Sequence, residues 1–136
     1  MTDFSMRFTL TPRGARLARH LVADQLEKWG YPFGGVTSET LSLITSELAT
    51  NAIRHTSGDD FHLRLTTGAD HTLRVEVTDG SAQLPVKAAP TPGTESSRGL
   101  LIVEALATRW GCHDSAPGKT VWAELSAPEN QKPPGA

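Results

Sequence analysis

Residues 46–55 read Ser46-Glu47-Leu48-Ala49-Thr50-Asn51-Ala52-Ile53-Arg54-His55, and they predict the second half of a helix. At about 100° per residue, Glu47, Asn51 and Arg54 fall in one narrow stripe along that helix. An apolar stripe lies beside it and is formed by Leu41, Ile44, Leu48 and Ala52. One face of the helix is therefore expected to pack into a core, while its flank presents a carboxylate, an amide and a guanidinium.

The polar stripe carries two groups that suit chemistry on a phosphate. Asn51 can give its carbonyl oxygen to a hard cation such as Mg²⁺, with phosphates and water filling the other positions. Glu47, one turn away, is placed to accept a proton from an attacking hydroxyl or water. Taken alone, such a stripe is more often the solvated face of an amphipathic helix. The functional interpretation therefore depends on what the rest of the chain supplies.

Length and composition limit the class of protein. The 136 residues suit one domain with one core, which we expect to span residues 4–126. A net charge of −2 gives no basic field for direct nucleic-acid binding, and no apolar run is long enough for a membrane span. The first four residues lack the features of a signal peptide. A single cysteine, Cys112, excludes an internal disulfide, so we expect a cytoplasmic protein without membrane association.

The pattern of apolar residues predicts a two-layer fold. An alternating strand from Phe4 to Leu10 is followed by a helix that Thr11-Pro12 caps and Gly30 ends, and Thr37 or Ser38 caps the central helix. Two further pairs of strands are expected at 61–66 and 71–79, and at 109–113 and 120–125. This order predicts an α/β (α+β) sandwich with helices on one face of a mixed, mostly antiparallel sheet.

Asp79 is the strand residue with the clearest chemical potential. It follows Leu73, Val75 and Val77 in the alternation, so its carboxylate is expected on the covered face. One interpretation is a strand-end Asp that forms a turn with Gly80. The other is an acceptor that reads the exocyclic amine of adenine, with water completing its hydrogen bonds.

A long irregular segment from Gly80 to Ser97 precedes the third helix, and such loops are usually lids, binding loops or disordered segments. Ser97-Arg98-Gly99-Leu100 leads into that helix, where free N–H groups and the helix dipole favour phosphate. Simple capping is the alternative. Lys119 is interpreted as a turn cation in preference to a distant phosphate partner, and residues 127–136 as a disordered tail.

Four segments occur in a fixed order: Ser46–His55, Val77-Thr78-Asp79-Gly80-Ser81, Ser97-Arg98-Gly99-Leu100 and Gly118–Leu125. They resemble the N box, the adenine-reading box, the phosphate-binding glycine box and the final strand of GHKL ATP-binding domains. This superfamily includes gyrase-type ATPases, histidine kinases and anti-sigma-factor serine kinases. The last segment is similar to the small bacterial anti-sigma-kinase branch. The resemblance covers roughly residues 4–125 and implies a Bergerat-type fold.

The resemblance implies a role for each matching residue. Asn51 corresponds to the Mg²⁺ ligand, Asp79 to the adenine acceptor and Glu47 to the catalytic base. The other nucleotide-binding positions that it implies are Gly80, Arg98, Gly99, Leu100 and Arg54. His55 falls in the same box, and we expect it to be packed or hydrogen-bonded. ATP and Mg²⁺ are the implied cofactors.

The favoured hypothesis is an ATP-dependent serine/threonine protein kinase of the anti-sigma type that regulates transcription. Its partner would be an anti-sigma antagonist, a sigma factor, or both in turn. Proteins of this kind are often dimers, which the sequence itself does not show. A histidine kinase is disfavoured because no phosphoacceptor domain precedes the ATP site, and a water-activating ATPase ranks last.

The alternative hypothesis is an ATP-binding module that sequesters a sigma factor or another regulator with little or no catalysis. Two departures from the family pattern favour it. Ser81 stands where a second glycine is usual after Asp79-Gly80, and Ser97 stands where a glycine is common before Arg98. Both substitutions reduce backbone freedom near the expected phosphates. The intact Glu47 favours the kinase.

Overall fold

The computed structural model describes residues 2–55, 58–68, 70–80, 95–115 and 118–127, with side-chain detail for 3–55, 58–68, 70–80, 100–114 and 118–127. Within these ranges the regular elements follow in the order β1 (Thr2–Thr9), α1 (Pro12–Lys28), α2 (Val36–His55), β2 (Asp60–Thr67), β3 (Thr72–Asp79), α3 (Glu95–Leu106), β4 (Arg109–Ser115) and β5 (Gly118–Ser126). The predicted types and order of these elements are confirmed.

The strands form one open sheet in the order β1-β2-β3-β5-β4, and all four pairings are antiparallel. The described sheet therefore contains no parallel pair, where the sequence suggested a mixed, mostly antiparallel one. Inner-face residues lie opposite one another, as in the pairs Phe8–Phe61 and Val77–Val121. The predicted two-layer α+β architecture is confirmed, because the buried faces of the strands pack against the helices.

The core lies between the sheet and the helices. The predicted apolar stripe of α2 is fully buried, as are the alternating residues of β3; these are Leu41, Ile44, Leu48, Ala52, Leu73, Val75 and Val77. Burial of a Leu or Val side chain of this kind contributes roughly 1.5–3 kcal/mol. Leu17 of α1 lies outside the buried set and is 52% exposed.

The ends of α1 follow the predicted capping residues. The Thr11 hydroxyl accepts a hydrogen bond from the Gly14 N–H at 3.0 Å, and Pro12 occupies the first turn. At the other end, Gly30 has a φ of 99°, and the Tyr31 N–H donates to the Leu26 carbonyl at 2.8 Å. This is the Schellman arrangement, which ends the helix because the glycine turns the chain to the left-handed region.

Two helix starts differ from the prediction. Helix α2 begins at Val36, so Thr37 and Ser38 lie inside its first turn and are buried. The reason is that the first helical hydrogen bond runs from the Glu39 N–H to the Gly35 carbonyl, at 2.9 Å. Helix α3 begins at Glu95, four residues before Gly99, which therefore lies within the helix.

The predicted tail and lid fall mainly outside the described residues, at 128–136 and 81–94. Ala127, the first residue assigned to the tail, belongs to the folded part. It is buried, and its N–H donates to the His71 carbonyl at 2.9 Å.

The outer face of the sheet stabilises the pair of strands β3 and β5. The Arg74 guanidinium lies 4.2 Å from the centre of the Trp122 ring, a cation–π contact worth about 0.5–1 kcal/mol at an exposed position. Arg74 also donates to Glu76 at 2.7 Å and to Glu124 at 2.9 Å. The contacts of Arg74 with Trp122 and Glu124 cross from β3 to β5, and they support the register that brings Asp79 opposite Lys119.

Candidate functional site

Helix α2 carries the predicted polar stripe from the core to the surface. Asn51 is buried, Glu47 is half-buried and Arg54 is exposed. The three side chains lie along one edge of the helix, next to the stripe that packs on the sheet. The stripe lies where the helical periodicity predicted it. Asn51 is the most deeply buried of its three residues.

Asn51 has a buried amide without a hydrogen bond. The residue is 5% exposed, and neither Oδ1 nor Nδ2 has a partner among the described residues. A buried amide without hydrogen bonds lowers the stability of the folded protein by roughly 1–3 kcal/mol. The needs of the fold alone therefore do not explain why an asparagine occupies position 51. A ligand that coordinates Oδ1 and accepts from Nδ2 would satisfy both atoms. The chemistry of this side chain therefore fits Mg²⁺ together with a phosphate oxygen.

Glu47 has a carboxyl group that is more basic than usual. Partial burial raises the pKa of Glu47, and the nearby positive charge of Arg54 opposes part of that rise. The group lies one turn from Asn51 and is still partly accessible to solvent. A carboxylate with these properties can accept a proton from a hydroxyl group that approaches the same end of the site.

Asp79 lies at the end of β3 and faces the covered side of the sheet, as the alternation predicted. Its buried carboxylate is opposite Lys119 of β5, and the distance from Lys119 Nζ to Asp79 Oδ2 is 3.4 Å. The interpretation of Lys119 as a turn cation is wrong. Strand β5 begins at Gly118, so Lys119 is its second residue and is completely buried.

Sequence reasoning therefore missed Lys119, although a signal for it was present. The residues at 119, 121, 123 and 125 alternate along β5, and Val121, Ala123 and Leu125 belong to the core. Extending that alternation backward by two residues from Val121 puts Lys119 on the inner face. The preceding Ala116-Pro117-Gly118 suggested a longer turn and concealed this register.

His55 connects the end of α2 with the ends of β3 and β5. Burial lowers the pKa of His55, and the charges of Lys119 and Arg54 lower it further, while Asp79 acts in the opposite direction. The ring is half-buried, in line with the expectation of a packed histidine. Helix α2 also contacts strands β3 and β5, so the segment around residues 46–55 and the segment around Asp79 are neighbours in the fold.

Two glycines border Asp79 in contrasting ways. A Cβ atom on Gly118 would lie 1.7 Å from the Asp79 carbonyl oxygen, so the absence of a side chain lets β5 close against β3. A Cβ atom on Gly80 would have no described atom within 4 Å. Within the described part of the chain, position 80 therefore has room for a side chain, whereas position 118 does not.

The predicted phosphate-binding residues lie on α3. Arg98 and Gly99 are inside this helix and outside the residues with side-chain detail, while Leu100 is buried. Because α3 starts at Glu95, its free N–H groups belong to the residues before Gly99. The nucleotide-binding role of Arg98, Gly99 and Leu100 remains a prediction.

Two features are absent from the described ranges. Those residues contain no group of three or more His, Cys, Asp or Glu side chains that could hold a metal ion. No helix in the described part of the chain has the length and apolar character that crossing a membrane requires.

The site combines an orphaned amide, a basic carboxyl group and a buried strand-end carboxylate on a helix-backed antiparallel sheet. This arrangement fits an ATP-binding domain of the histidine kinase type. The chain belongs to the family described as "Histidine kinase-like ATPase domain", which matches residues 8–125. The predicted recognition of a GHKL-type domain is therefore confirmed, and with it ATP as the ligand of the family.

Two solved structures show the same fold. One contains the RsbU and RsbW domains of Rv1364c from Mycobacterium tuberculosis, with a TM-score of 0.69, 19% identity, and coverage of 92% of this chain and 32% of that one. The other is the histidine kinase domain of a blue-light activated histidine kinase from Erythrobacter litoralis EL346, with a TM-score of 0.54, 25% identity, and coverage of 70% and 46%. The chain thus spans less than half of either structure. No curated protein matches it.

Proposed function

We propose that this protein is an ATP-dependent regulator of the anti-sigma type, which transfers the γ-phosphoryl group of ATP to a serine or threonine of a partner protein. The observation that carries the proposal is the pairing of two side chains on α2. Burial raises the pKa of Glu47, and one turn later Asn51 has a buried amide with no hydrogen-bond partner among the described residues. One group suits proton abstraction and the other suits a metal-bound phosphate.

The nucleotide would be held from three sides. Asn51 would give Oδ1 to Mg²⁺, and Asp79 would accept a hydrogen bond from the exocyclic amine of adenine. Arg54, Gly80, Arg98, Gly99 and Leu100 are the remaining residues that we assign to the nucleotide. When bound, Mg²⁺ neutralises negative charge on the phosphates.

Glu47 would act as the general base. It orients the partner's hydroxyl group and accepts its proton as the oxygen forms a bond to the γ-phosphorus. The bond from the γ-phosphorus to the bridging oxygen breaks, and ADP leaves. Positioning and charge stabilisation supply most of the acceleration in phosphoryl transfer, so one base is sufficient.

The partner that we propose is an anti-sigma antagonist, with a sigma factor as the protein that is alternately sequestered. Phosphorylation adds roughly −1.5 to −2 charge, which is enough to switch an interface between two partners. Support comes from the resemblance to anti-sigma-factor kinases and from the fold shared with the structure that contains an RsbW domain. A homodimer in the cytoplasm belongs to the same proposal.

A second candidate function is an ATP-binding module that sequesters its partner without chemistry. The observation that favours it lies in the sequence, where Ser81 and Ser97 occupy positions at which the family commonly has glycine. A stiffer backbone near the phosphates would slow closure around the nucleotide more than it would weaken binding.

The test is a phosphotransfer assay with γ-labelled ATP, Mg²⁺ and a purified candidate antagonist. We expect label on a partner serine or threonine. Glu47→Gln should lower the rate by about 10²- to 10⁴-fold while calorimetry still detects ATP binding, and Asn51→Ala should weaken the Mg²⁺-dependent part of that binding. Glu39→Gln is the matched control, because Glu39 is an exposed glutamate in the first turn of the same helix.

The outcomes separate the two functions. Transfer that persists in Glu47→Gln removes the assigned base. Clear ATP binding without transfer to any antagonist favours the sequestering module. If the folded protein does not bind ATP at all, both functions fail.

A further inference from the structure

We propose that Lys119 reads the nucleotide base directly, by donating a hydrogen bond from Nζ to the ring nitrogen N1 of adenine beside Asp79. The inference rests on the ATP site proposed above and deepens it. It gives a binding role to a lysine for which neither the motifs nor the family provide one.

The position of Lys119 requires an explanation beyond folding. Its side chain is 0% exposed, and Nζ has no hydrogen-bond partner among the described residues. The ammonium group has three N–H donors, and the carboxylate oxygen nearest to it, at 3.4 Å, lies beyond the usual hydrogen-bond distance. Burial of a charged group with unused donors is costly, so the fold leaves Lys119 with donors that a ligand can satisfy.

The pair of side chains matches the edge of adenine. Asp79 and Lys119 lie directly opposite each other in the antiparallel register and point to the same face of the sheet. They therefore present an acceptor and a donor side by side. The Watson–Crick edge of adenine offers the complementary order, with an amino donor at position 6 and an acceptor at N1. One residue would then read each group, as buried polar pairs do in base-recognising pockets.

The neighbours of the pair connect it to the end of α2. Gly118 closes β5 against β3 on one side, while the space beside Gly80 holds no described atom within 4 Å of an added Cβ. His55 lies close enough for both charges to influence it. Asn51, with its unsatisfied amide, is one turn before His55 on the same helix. A nucleotide whose base meets Lys119 can therefore extend its phosphates along α2.

The structural alternative is that Lys119 only neutralises the charge of Asp79. The two roles predict different responses to 1-deaza-ATP, in which a C–H group replaces N1. If Lys119 donates to N1, the wild-type protein should bind 1-deaza-ATP about 10- to 100-fold more weakly than ATP, the usual range for a hydrogen bond to a charged group. If Lys119 only balances charge, the two nucleotides should bind equally.

Variants then test whether the Lys119 side chain is responsible for the difference in affinity between ATP and 1-deaza-ATP. Lys119→Met should lower the affinity for ATP and bring the ratio between the two nucleotides close to one. Lys119→Gln retains an N–H donor without the charge, so it should recover part of the ratio. Lys28→Met removes an exposed lysine at the end of α1 and should leave both affinities unchanged.

These measurements separate the proposed role of Lys119 from the proposed binding of ATP. Binding of ATP and 1-deaza-ATP with equal affinity by the wild-type protein would overturn the role of Lys119 without using any variant. An unchanged ratio in a folded Lys119→Met protein would overturn it as well. Absence of binding for both nucleotides would instead contradict the proposed function.

Discussion

Lys119 Nζ lies 3.4 Å from Asp79 Oδ2, and the two side chains are 0% and 1% exposed. Strands β3 and β5 end side by side at this pair, and His55 of α2 lies near it. The charged centre of the fold is therefore also the place where segments that we assign to the nucleotide site meet. Stability and function are expected to be coupled here.

The buried ion pair should be costly to break and inexpensive to remove. Asp79→Asn leaves the Lys119 ammonium group buried without its counter-charge, and we expect a loss of about 3–5 kcal/mol in the free energy of unfolding. The double variant Asp79→Asn/Lys119→Met removes both charges and should recover most of that loss. Urea denaturation measures the three values.

The exposed pair Arg7–Asp60 provides the control for this cycle. Asp60→Asn should change stability very little, because exposed ion pairs contribute little. If the double variant were as unstable as Asp79→Asn, the unpaired ammonium group would not be the cause of the loss.

Asn51 should reduce the stability of the protein in the absence of nucleotide. Leucine has the same branching as asparagine and no polar atoms, so Asn51→Leu should raise the free energy of unfolding by roughly 1–3 kcal/mol. The same variant should lose Mg²⁺-dependent ATP binding. Ser42→Ala removes a buried hydroxyl group of α2 that has no hydrogen-bond partner among the described residues, and it should add stability without affecting nucleotide binding. Destabilisation by Asn51→Leu would show that the amide is satisfied in solution.

The rate of phosphotransfer should rise with pH through the pKa of Glu47. Burial raises this pKa above the ordinary glutamate value, so the carboxylate form, which is the active base, forms at a higher pH than usual. Arg54→Gln removes the charge that opposes the rise and should move the rising limb to still higher pH. Initial rates of phosphotransfer by the wild type and Arg54→Gln, measured across the acidic pH range, test this prediction. If the rise in rate occurred at the same pH in both proteins, Arg54 would have no influence on the titration of Glu47.

His55 should make stability depend on pH. Its folded-state pKa is lowered, chiefly by burial, so the unfolded chain binds the proton more readily. The stabilising contribution is complete above the ordinary histidine pKa, about 6.5, and is lost as pH falls through the folded-state value. His55→Gln should flatten this part of the profile in thermal unfolding, whereas His20→Gln, an exposed histidine on α1, should not. Parallel profiles for wild type and His55→Gln would contradict the prediction.

Gly118 and Gly80 should respond differently to alanine. In Gly118→Ala the new methyl group meets the Asp79 carbonyl oxygen, so β5 must move away from β3 and the protein should lose both stability and ATP affinity. In Gly80→Ala the new methyl group meets no described atom within 4 Å, so this variant should keep the wild-type melting temperature while ATP affinity falls. Thermal unfolding with and without ATP compares the two variants, and equal loss of stability in both would contradict the different surroundings of the two glycines.

Much of the fold follows from local patterns. The alternation in β3, the helical stripe of α2 and the Thr11-Pro12 and Gly30 signals fixed the types and order of the elements, because each depends on neighbouring residues only. Helix boundaries were less accurate. Gly35 supplies the first helical carbonyl of α2, and a hydrogen bond of this kind is determined by the path of the chain as well as by the identity of the capping residue.

In the candidate site, too, some features follow from the local sequence and others depend on the tertiary structure. Glu47, Asn51 and Asp79 could be found from spacing and motif, since each lies on a regular element whose inner and outer faces the sequence defines. Spacing and motif could not predict three other features of the site. These are the depth of Asn51, the lowered pKa of His55 and the contact of Lys119 with Asp79. They join residues that are distant in the chain, and only the antiparallel packing of β3 against β5 beneath the end of α2 brings them within reach of one another.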